Sequence, residues 1–317
     1  MLIRRRNHTI AHHEFRDLPS ILGPEDFLVI NTTRVFPARL RARRSGRAES
    51  IEVLLLREEN PGRWNALVRP GRKAEPGEIL EIGDLTATVL EIKPDGTRIL
   101  AFEPDHDVRE RLEALGEPPL PPYIRRQPGE DLRSDRVRYQ TVFARESGSV
   151  AAPTAGLHFT PKVLQDLDEK GVPICEILLH VGYGTFQPVR CQQIERHRMI
   201  PEYFEVSATS ATAIRRLRSE GRHLIAVGTT TTRVLEHLAH QRCAFGGETR
   251  GFCDLFIYPG FEFRMLDGLL TNFHLPKSTL FMLVCAFAGR DFMLECYREA
   301  TACGYRFFSY GDCMLIL

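Results

Sequence analysis

Apolar residues change rhythm along the chain. DFLVINTTRV (26–35) is a continuous apolar run ending in polar turn residues, which predicts a buried strand. From 51 to 102 apolar and polar positions alternate in short runs: IEVLLL, RWNALV, EILEIG, LTATVLEI and TRILAF. The turn sequences ENPG (59–62), PGRKAEPG (70–77) and PDG (94–96) separate them. Period-two alternation with regular turns predicts a small all-β barrel or sandwich. VRERLEALG (108–116) has helical spacing closed by Gly116, and the proline- and arginine-rich stretch 117–149 reads mostly as loop.

After residue 150 strands and helices alternate. Thr160-Pro161 opens a helix as N-cap and first residue, and Gly171 ends it. VPICEILLHV, HLIAVG, CDLFIYPG and YRFFSYGD read as strands. ATAIRRLRSEG, STLFMLVCAFAG (capped by Ser278) and DFMLECYREATACG read as helices, and TTTTRVLEHLAH as a loop entering a helix. Alternating β and α elements imply a largely parallel sheet covered by helices. The expected fold class is therefore α/β, with residues 1–48 and 117–317 as a discontinuous α/β domain and 49–116 as a β-rich insertion.

Composition narrows the possibilities. The 317 residues are 43% hydrophobic and 26% charged, which is ordinary for a globular protein. No apolar run approaches the roughly 18–20 residues of a membrane-spanning helix, and the basic N-terminus lacks the apolar core of a signal peptide. A cytoplasmic protein is expected. The eight cysteines form no C-x-x-C pair and read as buried thiols rather than metal ligands. The net charge of +1 argues against a general nucleic-acid coat but leaves room for a local basic patch.

Several segments could carry chemistry. Gly228, Thr229, Thr230 and Arg233 lie where a strand enters a helix, a place suited to a phosphate or carboxylate. His180 ends a strand and is followed by Gly182, Gly184 and Thr185, so an acid–base histidine would sit beside backbone open to a ligand. Ser149, Pro153, Thr154, Gly156 and His158 belong to a run of small residues that a flat ligand could lie against. Asp267, Asn272, His274, Lys277 and Ser278 crowd before a very apolar helix, whose buried start would leave Lys277 and Ser278 in need of a ligand. Tyr310 and Asp312 follow a strand near the C-terminus. Arg39, Arg41, Arg43, Arg44, Arg125 and Arg126 are candidate phosphate contacts for RNA.

Four long strings, GSVAAPTAGLHFT (148–160), HVGYGTFQPV (180–189), VGTTTTRVLE (227–236) and DGLLTNFHLPKSTL (267–280), closely resemble the S-adenosylmethionine:tRNA ribosyltransferase-isomerase family. LPPYI (120–124), YQTVF (139–143) and YRFFSYGD (305–312) extend the resemblance, which adds Arg34, Tyr139 and Gln140 to the candidate substrate residues. It implies an α/β domain interrupted by a small β-barrel. It also implies transfer and isomerisation of the ribosyl part of S-adenosylmethionine onto 7-aminomethyl-7-deazaguanine at the tRNA wobble position. The products would be epoxyqueuosine in tRNA, adenine and methionine. S-adenosylmethionine is thus expected as co-substrate and tRNA as partner, with no metal, no membrane and a monomeric chain. The required chemistry gives His180 or His274 the role of base, with Asp312 or Asp267 orienting it, and Thr229, Thr230 and Arg233 the methionine carboxylate. Thr32, and Ile200 after His197-Arg198-Met199, depart from the family pattern, which usually also begins further upstream. A catalytically weakened tRNA-binding protein of the same fold is the alternative. A methyltransferase fits the strings poorly, and a hydrolase would need a G-x-S-x-G elbow that is missing.

Overall fold

The computed structural model describes residues 1–47, 49–121, 123–124, 133–186, 189, 193–241 and 245–317. The chain forms two compact units. One comprises Met1–Thr33, Thr141–Glu146 and Ala152–Leu317; the other comprises Arg34–Gln140 and Ser147–Ala151.

The first unit is built on a nine-stranded sheet. Its order across the sheet is Thr249–Cys253, Glu202–Val206, Ile174–Leu179, Asp26–Asn31, His223–Val227, Gly268–Asn272, Cys313–Ile316, Leu2–Arg4 and Thr9–Ala11. The four strands Ile174–Leu179, Asp26–Asn31, His223–Val227 and Gly268–Asn272 run parallel. Their flanking neighbours Glu202–Val206 and Cys313–Ile316 run antiparallel to them. Every residue of Asp26–Asn31 and Gly268–Asn272 is buried, as expected for strands covered on both faces. Leu28, Ile30, Ile225 and Leu270 pack with Phe159, Val163 and Leu167 into one core. The helix Pro161–Glu169 begins as the sequence predicts: the Thr160 hydroxyl accepts the Val163 N–H and proline follows it.

The second unit contains a closed six-stranded barrel, ordered Arg98–Glu103, Arg63–Arg69, Ser50–Asn60, Arg39–Arg44, Ile79–Ile82 and Leu85–Ile92. Closure removes exposed sheet edges. Alternation sends Ile51, Val53, Leu55, Ala66, Ala87 and Val89 inward. Arg39–Arg44 is a full barrel strand, paired to both Ser50–Asn60 and Ile79–Ile82, although it lies before residue 49. Its arginine-rich outer face hid the alternation of Leu40 and Ala42.

Four element predictions differ from the structure. Thr229–His240 is helical from its first threonine. CDLFIYPG is irregular after Cys253, and the strand beside it is Thr249–Cys253. YRFFSYGD forms a loop, followed by the strand Cys313–Ile316. Within 117–149, Arg133–Arg138 is a helix. Aromatic-rich runs look strand-like locally, but these segments satisfy their backbone by turns: Phe308 adopts φ 76° and Asp312 N–H donates to the Arg306 carbonyl.

Candidate functional site

Ligands of open α/β sheets bind outside the carboxyl ends of the parallel strands. Here those ends carry, in spatial order, His180, Thr33, Gly228 and Asn272, each following or ending one of the four central strands. Three inter-strand steps make this row about 14 Å long. His180 is half-buried, and its Nδ1 is 2.9 Å from the Thr33 hydroxyl, which fixes the ring. Gly228 has φ 92° and ψ 153°, a conformation essentially restricted to glycine. It turns the His223–Val227 strand directly into the Thr229–His240 helix without a side-chain cap. The Thr231 and Thr232 hydroxyls donate back to the Val227 and Gly228 carbonyls. Among the described residues the buried Thr230 hydroxyl has no partner, nor does the buried Asn272 Oδ1. Asn272 Nδ2 is bonded to the Phe308 carbonyl at 3.0 Å and faces His158 Nε2 at 3.3 Å.

His158 reaches this row from the segment Thr154–His158. The Ala155 side chain lies against Gly228, where an added Cβ would sit 3.8 Å away. Gly156 serves packing: a side chain there would meet Phe143 at 2.7 Å and Thr141 at 2.8 Å. His158 also lines a cleft of about 380 Å³ with Phe15, Leu270, Tyr305, Asp312 and Cys313. Phe15 stacks on the His158 ring at 5.3 Å. Burial lowers the His158 pKa to about 4, so the ring is neutral at neutral pH. Asp312 accepts the Arg306 N–H at 2.7 Å and its guanidinium at 3.0 Å. Burial pushes the Asp312 carboxyl up, but the Arg306 bonds and charge outweigh it and hold the group below the usual carboxylate value. The aspartate is therefore an anion at the cleft wall, already held by one arginine.

Arg233 does not join the row. It is fully buried, and its guanidinium is consumed: it pairs with Glu202 and donates to the Leu255 carbonyl at 2.8 Å and the Cys253 carbonyl at 3.1 Å. The second Glu202 oxygen accepts the Gly182 N–H at 2.7 Å. Burial opposes the Arg233 charge, but Glu202 outweighs it and holds the pKa up. With each guanidinium nitrogen already bonded to protein and the group fully buried, Arg233 is poorly placed to hold a methionine carboxylate. Gly184 likewise meets protein rather than ligand, since a Cβ there would lie 2.8 Å from Ile200.

The crowd from 267 to 278 is separated by the strand it spans. Asp267 precedes Gly268–Asn272 at the amino end, where it pairs with Arg218 and accepts the Leu224 N–H at 2.8 Å. It faces away from the carboxyl-end row and orients no catalytic histidine there. His274 is buried against Thr271, 2.9 Å from its hydroxyl, with its backbone N–H on the Tyr297 hydroxyl. Burial drives its pKa to about 3, which makes it a poor base. Ser278 caps the following helix, accepting from Phe281 N–H and donating to the Leu275 carbonyl, so no ligand is needed. Lys277 is exposed, with φ 65°. Tyr310 is also exposed.

In the second unit, Gln140 spends its amide on both backbone groups of Val35, and the Ser149 hydroxyl donates to the Ala151 carbonyl. Tyr139 is buried and Arg34 exposed. Arg41 and Arg44 pair with Glu117 and Glu78, and Arg39 donates to the Leu120 carbonyl. Those partners weaken a phosphate-binding role for Arg39, Arg41 and Arg44, whereas Arg43 is exposed and has no ion pair among the described residues. Arg125, Arg126 and the Thr185 side chain lie outside the described residues.

Thr33, Glu202 and Phe15 were not among the sequence candidates. Thr33 had a signal, a hydroxyl at a strand end, whereas Glu202 and Phe15 acquire their roles only through tertiary contacts. One surface group, His12, Glu299 and Cys303, brings possible metal-ligating atoms within 4.8 Å of one another, and these atoms already bond among themselves and to Tyr305. Among the described residues no helix is long and apolar enough to cross a membrane.

Comparison with known proteins gives a uniform result. Residues 1–316 match the family model described as queuosine biosynthesis protein. A Desulfitobacterium hafniense S-adenosylmethionine:tRNA ribosyltransferase-isomerase is 49% identical over all of this chain and 92% of its own length. The protein of that name from Thermotoga maritima is also 49% identical, with the same coverage. The crystal structure of S-adenosylmethionine tRNA ribosyltransferase from Thermotoga maritima, 40% identical, superposes with a TM-score of 0.54 over all of this chain and 91% of that one. By sequence along its whole length, and by fold, this chain belongs to the queuosine biosynthesis protein family.

Proposed function

We propose that this chain is an S-adenosylmethionine:tRNA ribosyltransferase-isomerase acting in the cytoplasm. The observation that carries the reading is identity near one residue in two, over the whole chain, to several proteins of that name. The reaction moves the ribosyl part of S-adenosylmethionine onto 7-aminomethyl-7-deazaguanine in tRNA and releases adenine and methionine.

The row at the carboxyl edge supports a division of labour. A base must take the proton made acidic by the neighbouring sulfonium, and His180 suits this: it is half-buried, at the ligand end of its strand, with its ring fixed by Thr33. Asn272 and His158, both neutral and polar, suit the heterocycle that departs. The unpartnered Thr230 hydroxyl and the start of its helix suit an anionic group such as the methionine carboxylate. His274 and Asp267 fall to structural roles. Asp312 suits an ammonium group reaching the cleft, since its charge is retained. The barrel-bearing unit, with Arg43 on its surface, suits contact with the body of the tRNA.

The test is mass spectrometry of a reaction containing S-adenosylmethionine and tRNA carrying 7-aminomethyl-7-deazaguanine. Free adenine together with epoxyqueuosine in the tRNA is the expected result. Measurable tRNA binding with no adenine would instead make the chain a weakened binding protein of the same fold.

A further inference from the structure

We propose that Tyr203 and Phe252 form a stacking platform for unpaired nucleobases of the tRNA substrate; the inference rests on the reading above that tRNA is bound. Three rings climb from the candidate site to the sheet edge. The His180 ring stacks on Tyr203 with centroids 5.8 Å apart and planes at 26°. Tyr203 meets Phe252 at 5.9 Å, edge to face. Backbone pairing sets the ladder: Tyr203 and Phe252 are directly opposed on antiparallel strands, and the His180 N–H donates to the Tyr203 carbonyl at 2.9 Å. The Tyr203 hydroxyl donates to Glu205, which holds the ring in place.

The outer end of the ladder is open. Phe252 lies on Thr249–Cys253, the edge strand of the sheet, and is 52% exposed. The ring sits on an unpaired strand edge, where it is open to a partner that stacks. Arg250, two residues earlier, points to the same side and is exposed, and it pairs with Glu248 at 2.9 Å. Flat rings on an open sheet edge suit single-stranded RNA, whose bases stack on aromatic faces; a phosphate would have to compete with Glu248 for Arg250, so stacking carries the fit. Continuity with His180 makes the fit specific. A wobble base brought out to the carboxyl edge leaves its neighbours without stacking partners, and the ladder begins at His180, the general base proposed above. The established contacts of Phe252 need neither S-adenosylmethionine nor the cleft.

The experiment measures binding of a fluorescent anticodon stem-loop RNA by anisotropy, binding of S-adenosylmethionine by calorimetry, and adenine release with full tRNA. The proteins are the unsubstituted chain, Phe252→Ala and Phe252→Trp. Phe252→Ala is expected to weaken RNA binding about tenfold, as loss of one stacked base does, and Phe252→Trp to retain it. Both should bind S-adenosylmethionine as the unsubstituted chain does. RNA binding by Phe252→Ala within twofold of the original overturns the platform. Equal weakening by both substitutions also overturns it, because the strand edge rather than stacking would then be responsible. An altered oligomeric state of Phe252→Ala with unchanged RNA binding assigns the patch to contacts between copies and overturns it as well. Adenine release by the unsubstituted chain in the same preparations separates the readings: turnover with unchanged Phe252→Ala binding removes the platform alone, whereas no turnover and no RNA binding removes both.

Discussion

Two polar clusters that share the helix Thr229–His240 differ in how completely they are satisfied. Around Arg233 both partners are about 97% buried, and every guanidinium nitrogen and both Glu202 oxygens have a protein partner. Around Asn272 and Thr230 burial is as deep, yet Asn272 Oδ1 and the Thr230 hydroxyl have none. A buried polar atom without a partner costs about 1–3 kcal/mol. A saturated cluster holds structure; an unsaturated one at a ligand-binding edge holds capacity for a substrate. Arg233 and Thr230 are three residues apart on one helix and share a face, so the contrast arises from what each side chain meets there.

The contrast can be broken by substitution. Arg233→Met leaves Glu202 buried without its counter-charge and should destabilise the fold by about 3–5 kcal/mol, read from urea unfolding. A loss below 1 kcal/mol would mean that the pair does not organise this part of the sheet. His180→Ala should lower adenine release by about 10²–10⁴-fold, with S-adenosylmethionine binding and unfolding little changed. Equal turnover would return the base role to another group. Thr230→Val replaces an unpartnered hydroxyl by a methyl of the same shape, and should leave stability unchanged or raise it by about 1 kcal/mol. The same change should weaken S-adenosylmethionine binding severalfold; unchanged affinity would remove Thr230 from the ligand site. Ser278→Ala tests the assignment of that residue as a cap: about 1 kcal/mol of stability should go, with turnover per folded molecule intact.

Acidity sharpens the same division. The folded-state pKa values of His158 and His274, about 4 and about 3, lie below the ordinary 6.5. The unfolded chain therefore binds protons that the folded one refuses. This stability is present above pH 6.5 and is lost as pH falls toward 4, at up to about 2 kcal/mol for each histidine between pH 7 and 5. Unfolding midpoints at pH 7 and pH 5 measure it, and His158→Asn should remove its share. A midpoint independent of pH would place both rings in water.

Much of this was legible in the sequence, and the misses have physical reasons. The alternation from 51 to 102 specifies the barrel because period-two patterning survives without tertiary information, whereas Leu40 and Ala42 were masked by the arginines between them. Gly228 before a threonine run marks a strand-to-helix turn. For Arg233, one helical turn beyond Thr229, adjacency in sequence does not say that its side chain turns inward to Glu202, which is 31 residues away. Asp267 and Asn272 are close in sequence, but an extended strand carries five residues about 17 Å. His180 as a strand-end histidine was readable; the Thr33 hydroxyl that fixes it comes from 147 residues away.

The split allegiance of Glu202, one oxygen on Arg233 and the other on Gly182, has an evolutionary consequence. Changing either charged partner alone strands the other, and changing Glu202 also frees the loop beside His180, so single steps pass through a valley of fitness. Drift at positions 202 and 233 should therefore be concerted, an epistatic couple in which a tolerated swap arrives in both places together.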